Sequence, residues 1–395
     1  MTMNLELNES QRKSQAEFRA FVDKNIAPYA SEFDREERIP QSLIRDLGAR
    51  GYLGAVAPIE KGGGGMDAMT WGLLCQELGR GSASLLSLLT VHSMVIQALV
   101  RWGSEEQRDL WMPKLASGEV VAAFALSEPD VGSDAANCQT AACRDGDDYV
   151  VTGEKRWISF GQIADVFLLF GNVDGASSAF LVESDRDGFS RRAIGGMLGF
   201  RSAMLAALSF ENCRVPSANI VGRPGFGFSH VAGTALDHGR FCIAWGALGL
   251  IQGCLDACLD YADKREQFGA LLKNHQLVSA MIADMHVQSK AAALLCQNAA
   301  RLKELGDPQL IMETSIAKYF ASQAAVRIAL DAVQIHGANG CAEDYPVARY
   351  LRDAKILEII EGSNQIQQMI IAKYGYQSHA ASRLNENPTG STVEQ

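Results

Sequence analysis

The chain has 395 residues, of which 47% are hydrophobic and 21% charged, with a net charge of −10. That length and composition exclude a disordered chain and allow one elaborate domain or two to three smaller ones. The acidic balance argues against non-specific nucleic-acid binding, which needs clustered Lys and Arg to displace counterions.

The first residues, MTMNLELNESQRKSQAEF, carry no apolar signal core and no small-residue cleavage site. Apolar positions at Phe18, Phe21, Val22 and Ile26 then form a helical stripe. IPQSLIRDLGARG predicts a short helix, with Pro40 near its start and Gly51 past its end. KGGGGM reads as a flexible loop. It is followed by helical MDAMTWGLLCQELGRG and by SLLSLLTVHSMVIQALVRWG, which predicts a buried helix. Ser104, with Glu and Gln behind it, predicts the N-terminus of the next helix. The apolar stretches are read as broken by charge or glycine short of a membrane span. The expectation is a helical domain over 1–120.

From 121 to 224 the texture changes. VVAAFALSEP, DDYVVTGEKRWIS, ADVFLLFGNV, SAFLVES and LAALSFENCRVP are short β-branched and aromatic runs, punctuated by Asp145-Gly146 and Asp187-Gly188. They predict an all-β insert, a small barrel or sandwich. Over 225–377 the pattern is helical again. Val326, Leu330 and Val333 follow helical spacing, and ALLKNHQLVSAMIADMHVQSKAAALLCQNAARLKELG predicts one long amphipathic helix of an antiparallel bundle. Residues 378–395 are polar and read as a disordered tail. The class is α+β, ordered helical, β, helical.

Nine cysteines, an odd number, include no CxxC pair, and seven His show no zinc or iron spacing. The expectation is a cytoplasmic protein with reduced packing thiols and no metal. No GxGxxG fingerprint and no Walker lysine is present.

One segment poses a chemical question. In Ile359-Ile360-Glu361-Gly362-Ser363-Asn364-Gln365-Ile366-Gln367, a carboxylate follows two large apolar residues and precedes a glycine. Such a charge is costly unless it is paired, exposed or used. Asn364 with Gln367 three later predicts a helix N-cap, placing Glu361 in the turn before it.

Taken with FALSEPDVGSDA (124–135), EKRWISFG (154–161), DKREQFG (263–269) and QIHGANG (334–340), this segment resembles the acyl-CoA dehydrogenase family over nearly the whole chain. The resemblance implies a helical domain, a β domain and a four-helix bundle around FAD. It implies a reaction on an acyl thioester, with Glu361 as base for the α-proton and hydride passing from the β-carbon to the flavin. Leu126, Ser127, Trp157, Ser159, Ser363 and Gln365 would contact the flavin. Arg265, Phe268, Gln276, Gln334, Gly337 and Ala338 would hold the dinucleotide part of a neighbouring subunit's cofactor. Ser133, Asp237, Arg240, Ile360 and Gly362 would border the substrate, with Arg201 as a further support. Three positions depart from the family pattern: Phe160 stands where Asn is frequent, Ala338 where a second Gly is common, and Ile360 where Tyr is common. The segment around Glu361 is also similar to a branch acting on carrier-protein thioesters in polyketide extender-unit synthesis. A short- or branched-chain acyl-CoA is the alternative substrate, and a non-catalytic flavoprotein or an oxidase are further ones. The implied partners are a CoA or carrier-protein thioester, an electron-accepting flavoprotein or oxygen, and further copies of the chain in a dimer or tetramer.

Overall fold

The computed structural model describes residues 6–386. The N-terminal part comprises α1 (Glu9–Asn25), α2 (Ala30–Glu36), α3 (Gln41–Ala49), α4 (Ala68–Gly81), α5 (Ala83–Trp102) and α6 (Glu105–Ser117). α1 opens on a capping box between Asn8 and Gln11 and buries Phe18, Phe21 and Val22. α6 opens on the same motif from Ser104 and Gln107, and Gly118 ends it with a φ of 74°.

Two sequence expectations need correction. KGGGGM is not a loose loop: the N–H groups of Gly62, Gly63, Gly64, Gly65 and Met66 all donate to carbonyls of residues 54–59. A methyl on Gly63 would lie 2.2 Å from the Ala57 carbonyl oxygen, so this run needs glycine for close approach rather than for mobility. The apolar stretches are not all short either. Among the described residues, Ala83–Trp102 and Gly227–Ala262 are long and apolar enough to cross a membrane by length and composition. They are 89% and 78% buried inside the protein, where they form the centre of the helical core.

The middle part contains β1 (Ala122–Ala125), β2 (Ala141–Asp145), β3 (Asp148–Ile158), β4 (Val166–Val173), β5 (Ala176–Glu183), β6 (Phe189–Ala193), β7 (Ala206–Pro216) and β8 (Ile220–Val221). Among the described residues they form one eight-stranded sheet, in the order β6-β7-β3-β2-β4-β5-β8 with β1 parallel to β4. Both faces of β4 are buried, which explains its continuous apolar run. Phe167 and Leu169 enter an inner core with Tyr149, Phe180 and Phe210, so the sheet curls over itself. Val166, Leu168 and Phe170 pack outward with Ile96, Leu99 and Leu115 of α5 and α6.

A π-helical turn, Gly227–Ala232, leads into α7 (Gly233–Ala262). After the hairpin of β9 (Glu266–Gln267) and β10 (Ala270–Leu271) come α8 (Gln276–Leu305), α9 (Leu310–His336), α10 (Pro346–Leu357) and α11 (Asn364–Glu386). α7 lies along α4 and α5 with glycine at the crossings: a methyl on Gly72 would meet the Trp245 ring at 2.3 Å, and one on Gly249 the Gln76 carbonyl at 1.9 Å. α11 continues to Glu386, nine residues into the segment read as a disordered tail. Local polarity did not end this helix, because it grows from an anchored first turn. Residues 387–395 of that segment lie outside the described residues.

Candidate active site

Six residues, 358–363, reverse the chain between α10 and α11. Glu361 and Gly362 both have left-handed backbones, with φ of 52° and 82°. That region is free to glycine and costs a glutamate about 1–2 kcal/mol, so the surroundings must hold Glu361 there. Gln367, fully buried, donates from Nε2 to the carbonyls of Glu361 (3.2 Å) and Gly362 (2.9 Å). Asn364 is not the predicted cap. Its Oδ1 accepts from Lys318 Nζ and Ser322 Oγ, both at 3.0 Å, while the Gln367 N–H bonds the Ser363 carbonyl.

The Glu361 side chain points at α7 and α5. A methyl on Gly239 would lie 2.4 Å from its Oε2 and 2.9 Å from Met94 Sδ. Oε2 is buried and has no hydrogen-bond partner, although the residue keeps some open surface. Burial pushes the Glu361 carboxyl up to about 7, and Cys242 adds to the rise, while Arg240 and Lys318 oppose it. A carboxylate poised near neutrality, with one oxygen unsatisfied, has the properties of a general base.

Arg240 Nη1 donates to Asp237 Oδ1 at 2.6 Å, and its Nε is buried without a partner beside Gly362. Burial raises the Asp237 carboxyl against the pull of Arg240 and Lys303. Ile360 packs against the main core, Ser363 is half-buried and Gln365 is exposed. Arg201 is not part of this cluster. It donates to Glu37 at 3.0 Å beyond the end of α2 and so latches the β6–β7 loop to the N-terminal helices.

The end of β3 carries the next group of predicted residues. Trp157, the penultimate residue of β3, has a φ of 64° and is 45% exposed, with the Arg156 guanidinium 4.5 Å over its ring. Ser159 follows in the turn, half-buried. Phe160, also left-handed, is fully buried and donates its N–H to the Ala203 carbonyl at 2.8 Å. The departure from Asn therefore plugs the core instead of lining the strand end. Phe200 in the same loop donates to Asp353 of α10 at 2.7 Å, which ties the end of β3 to the helix leading to Glu361. Leu126 is buried and Ser127 half-buried in the strand-end loop of β1, whereas Ser133 is exposed at its tip.

Sequence reasoning passed over the pair that holds this loop. Lys155 is fully buried and donates to Glu128 (2.7 Å) and to the Leu126 carbonyl (3.1 Å). Glu128 also accepts from the N–H groups of Gln139 and Thr140 and from the Thr140 hydroxyl. The signal was present: a Lys two residues before the strand Trp, and a Glu before a Pro.

Arg265, Phe268, Gln276, Gln334, Gly337 and Ala338 form a second group. All six are exposed, Phe268 at 99%, and they gather around the end of α7. There Tyr261 accepts the Arg265 N–H on its carbonyl and stacks on His336 at 4.3 Å. Along α7, Arg240 and Tyr261 are 21 residues apart, about 30 Å at the helical rise, so one protomer keeps the two groups separate. Gly337 takes the left-handed φ of 60° while Ala338 does not, so the Ala338 methyl adds no backbone strain.

The residues present suit a flavin: an exposed Trp at a strand end tied to the Glu361 loop, hydroxyls beside it, and a buried carboxylate oxygen and guanidinium nitrogen with no partner of their own. The models of the acyl-CoA dehydrogenase N-terminal, middle and C-terminal domains match residues 8–119, 123–213 and 225–375. The chain belongs to the acyl-CoA dehydrogenase family. It is 37% identical to the human mitochondrial short-chain specific acyl-CoA dehydrogenase over 382 residues, 95% of this chain and 92% of that one. Butyryl-CoA dehydrogenase from Megasphaera elsdenii superposes with a TM-score of 0.91 at 33% identity, covering 94% and 99% of the two chains. A glutaryl-CoA dehydrogenase from Mycobacterium smegmatis, solved in complex with FADH2, superposes with a TM-score of 0.89 at 30% identity, covering 93% and 95%. This dehydrogenase is an FAD-dependent oxidoreductase acting on CH–CH bonds.

Proposed function

We propose that the enzyme desaturates a short acyl thioester, with Glu361 taking the α-proton. The observation that carries this reading is the buried, unpartnered Oε2 of Glu361 in the notch over Gly239. FAD, when bound, supplies the acceptor for the β-hydride. The protein's part is to hold the thioester between the Trp157–Ser159 strand end and the Glu361 loop, exclude water, and receive the proton on Oε2. Leu126, Ser127, Trp157, Ser159, Ser363 and Gln365 border the flavin ring in this reading, and Ser133, Asp237, Arg240, Ile360 and Gly362 border the substrate. Arg265, Phe268, Gln276, Gln334, Gly337 and Ala338 complete the cofactor site of a second copy of the chain, which accounts for an Arg and a fully exposed Phe standing together.

The packing of α5 on α7 supports a short chain. Beyond Met94 and Gly239 the seam closes two turns on, where a methyl on Gly246 would lie 1.9 Å from Leu86 Cδ2. Leu86→Ala is therefore expected to raise the kcat/KM ratio of an eight-carbon to a four-carbon acyl thioester by about tenfold, measured on the two substrates in parallel.

Anaerobic bleaching of the flavin by a panel of CoA thioesters tests the reaction, with four to six carbons expected to be fastest. No bleaching by any thioester overturns it. Bleaching only by carrier-protein thioesters instead selects the polyketide branch suggested by the Ile359–Gln367 segment. Reoxidation under air against a flavoprotein acceptor identifies the electron partner. Because the carboxylate is the active form, the rate is expected to rise with pH through about 7, the value for Glu361. A flat profile between pH 6 and 8 contradicts that assignment.

A further inference from the structure

Behind the Glu361 loop, in the middle of α9, lies a charged side chain with no assigned task. Lys318 is fully buried. Its Nζ donates to three acceptors, two in the loop and one on the first residue of α11: the carbonyls of Gly362 (2.9 Å) and Glu358 (3.4 Å) and Oδ1 of Asn364 (3.0 Å). An ammonium has three N–H donors and no acceptor, so this cradle matches the charged form and leaves none of its protons unused. Ser322, one turn along α9, shares Asn364 Oδ1 at 3.0 Å. The groups facing Lys318 are Glu358 and Glu361 on the loop and Arg240 on α7. Tyr319, beside it on α9, is bonded to Gln368 of α11 at 2.9 Å.

A buried lysine is an expensive way to satisfy two carbonyls, since serine, asparagine or water can do so without a charge. The charge needs its own reason, and the neighbour across the loop supplies one. Glu361 is the group whose ionised form is disfavoured by its apolar walls, and a cation behind the backbone opposes that effect without touching the carboxylate or the substrate. We propose that Lys318 is the positioning residue of this site: its ammonium clamps the Glu358–Asn364 backbone in the shape that presents the Glu361 carboxylate, and its charge favours the ionised form of that base. Burial lowers the Lys318 ammonium to about 7 while Glu361 and Glu358 pull it up, so each member of the pair supports the charge of the other.

This inference rests on Glu361 being the base, and the experiment separates the two. The substrate probe is an acyl thioester with sulfur at its β-position. It can lose an α-proton but has no β-hydride to give, so wash-out of an α-deuterium, followed by NMR, reads proton transfer alone. In Lys318→Gln, and in Lys318→Met as a second neutral variant, the acid limb of the wash-out rate is expected to move up by about one pH unit, with a fall of about fivefold at pH 7. Lys318→Arg, which keeps the charge, is expected to leave the limb in place. A purely structural lysine would change flavin content or thermal stability without moving the limb. An unmoved limb and an unchanged rate in the neutral variants overturn the proposal. If neither neutral variant folds, a shifted limb in Lys318→Arg overturns it, and an unshifted limb with a rate within about tenfold of wild type supports it. Glu361→Gln is run alongside. Retained wash-out there defeats the base assignment itself, whereas lost wash-out with unchanged Lys318→Gln defeats only the role given to Lys318.

Discussion

Glu361→Gln is expected to lower turnover of a four-carbon acyl thioester by about 10³-fold while the protein stays folded and yellow, because a neutral amide cannot accept the α-proton. The substitution is nearly isosteric, and the left-handed backbone at Glu361 is held from outside by Gln367 and Lys318, whose partners are carbonyls and the Asn364 side chain, not the carboxylate. Stopped-flow reduction and the flavin spectrum check both halves. A second signature needs no turnover. The folded-state proton affinity of Glu361 is raised by burial, so its contribution to stability is fully present below the ordinary glutamate value and is lost as pH rises through about 7. Glu361→Gln removes this pH dependence, and the melting temperature of the variant is expected to fall less than that of the wild type between pH 5 and 8. Equal slopes would mean that the carboxylate is better solvated than its surroundings indicate.

Lys155→Met is expected to cost about 3–5 kcal/mol of unfolding free energy and most of the flavin content. The loss comes less from a missing attraction than from what remains. Glu128 would stay buried, with its charge supported only by Thr140 and Gln139. Burial alone raises its carboxyl, and at present Lys155 and those donors outweigh that effect and hold it below the usual range. The same lysine bonds the Leu126 carbonyl, so the strand-end loop beside Ser127 loosens with it. Urea unfolding and flavin absorbance on Lys155→Met, Glu128→Gln and the double variant form a cycle. The double variant is expected to recover part of the loss, since it leaves no unpaired charge. Strictly additive costs would show that the two residues do not act as a pair.

How much of this was legible beforehand depends on whether the deciding interaction is near in sequence. The helical stripe of α1, the caps at Asn8 and Ser104, and the switch from helical to β texture near residue 121 all rest on neighbours within a few positions, and periodicity reports them directly. Glu361 could be singled out because a carboxylate beside two isoleucines and before a glycine is chemically odd. The KGGGG run shows the opposite. Gly63 is there because the Ala57 backbone comes within van der Waals contact, a fact that no composition rule contains.

Local patterns and short motifs carry the order of the three parts and the reaction class, and they single out Glu361 as the candidate base. What surrounds Glu361 was set by packing alone. The notch at Gly239, the seam closed by Leu86, the Lys155–Glu128 pair and the Lys318 cradle join residues 27 to 267 positions apart. Whether a buried charge is tolerated, and which proton it holds, depends on the dielectric and the partners that distant segments bring to it, and those come into being only when the chain has packed.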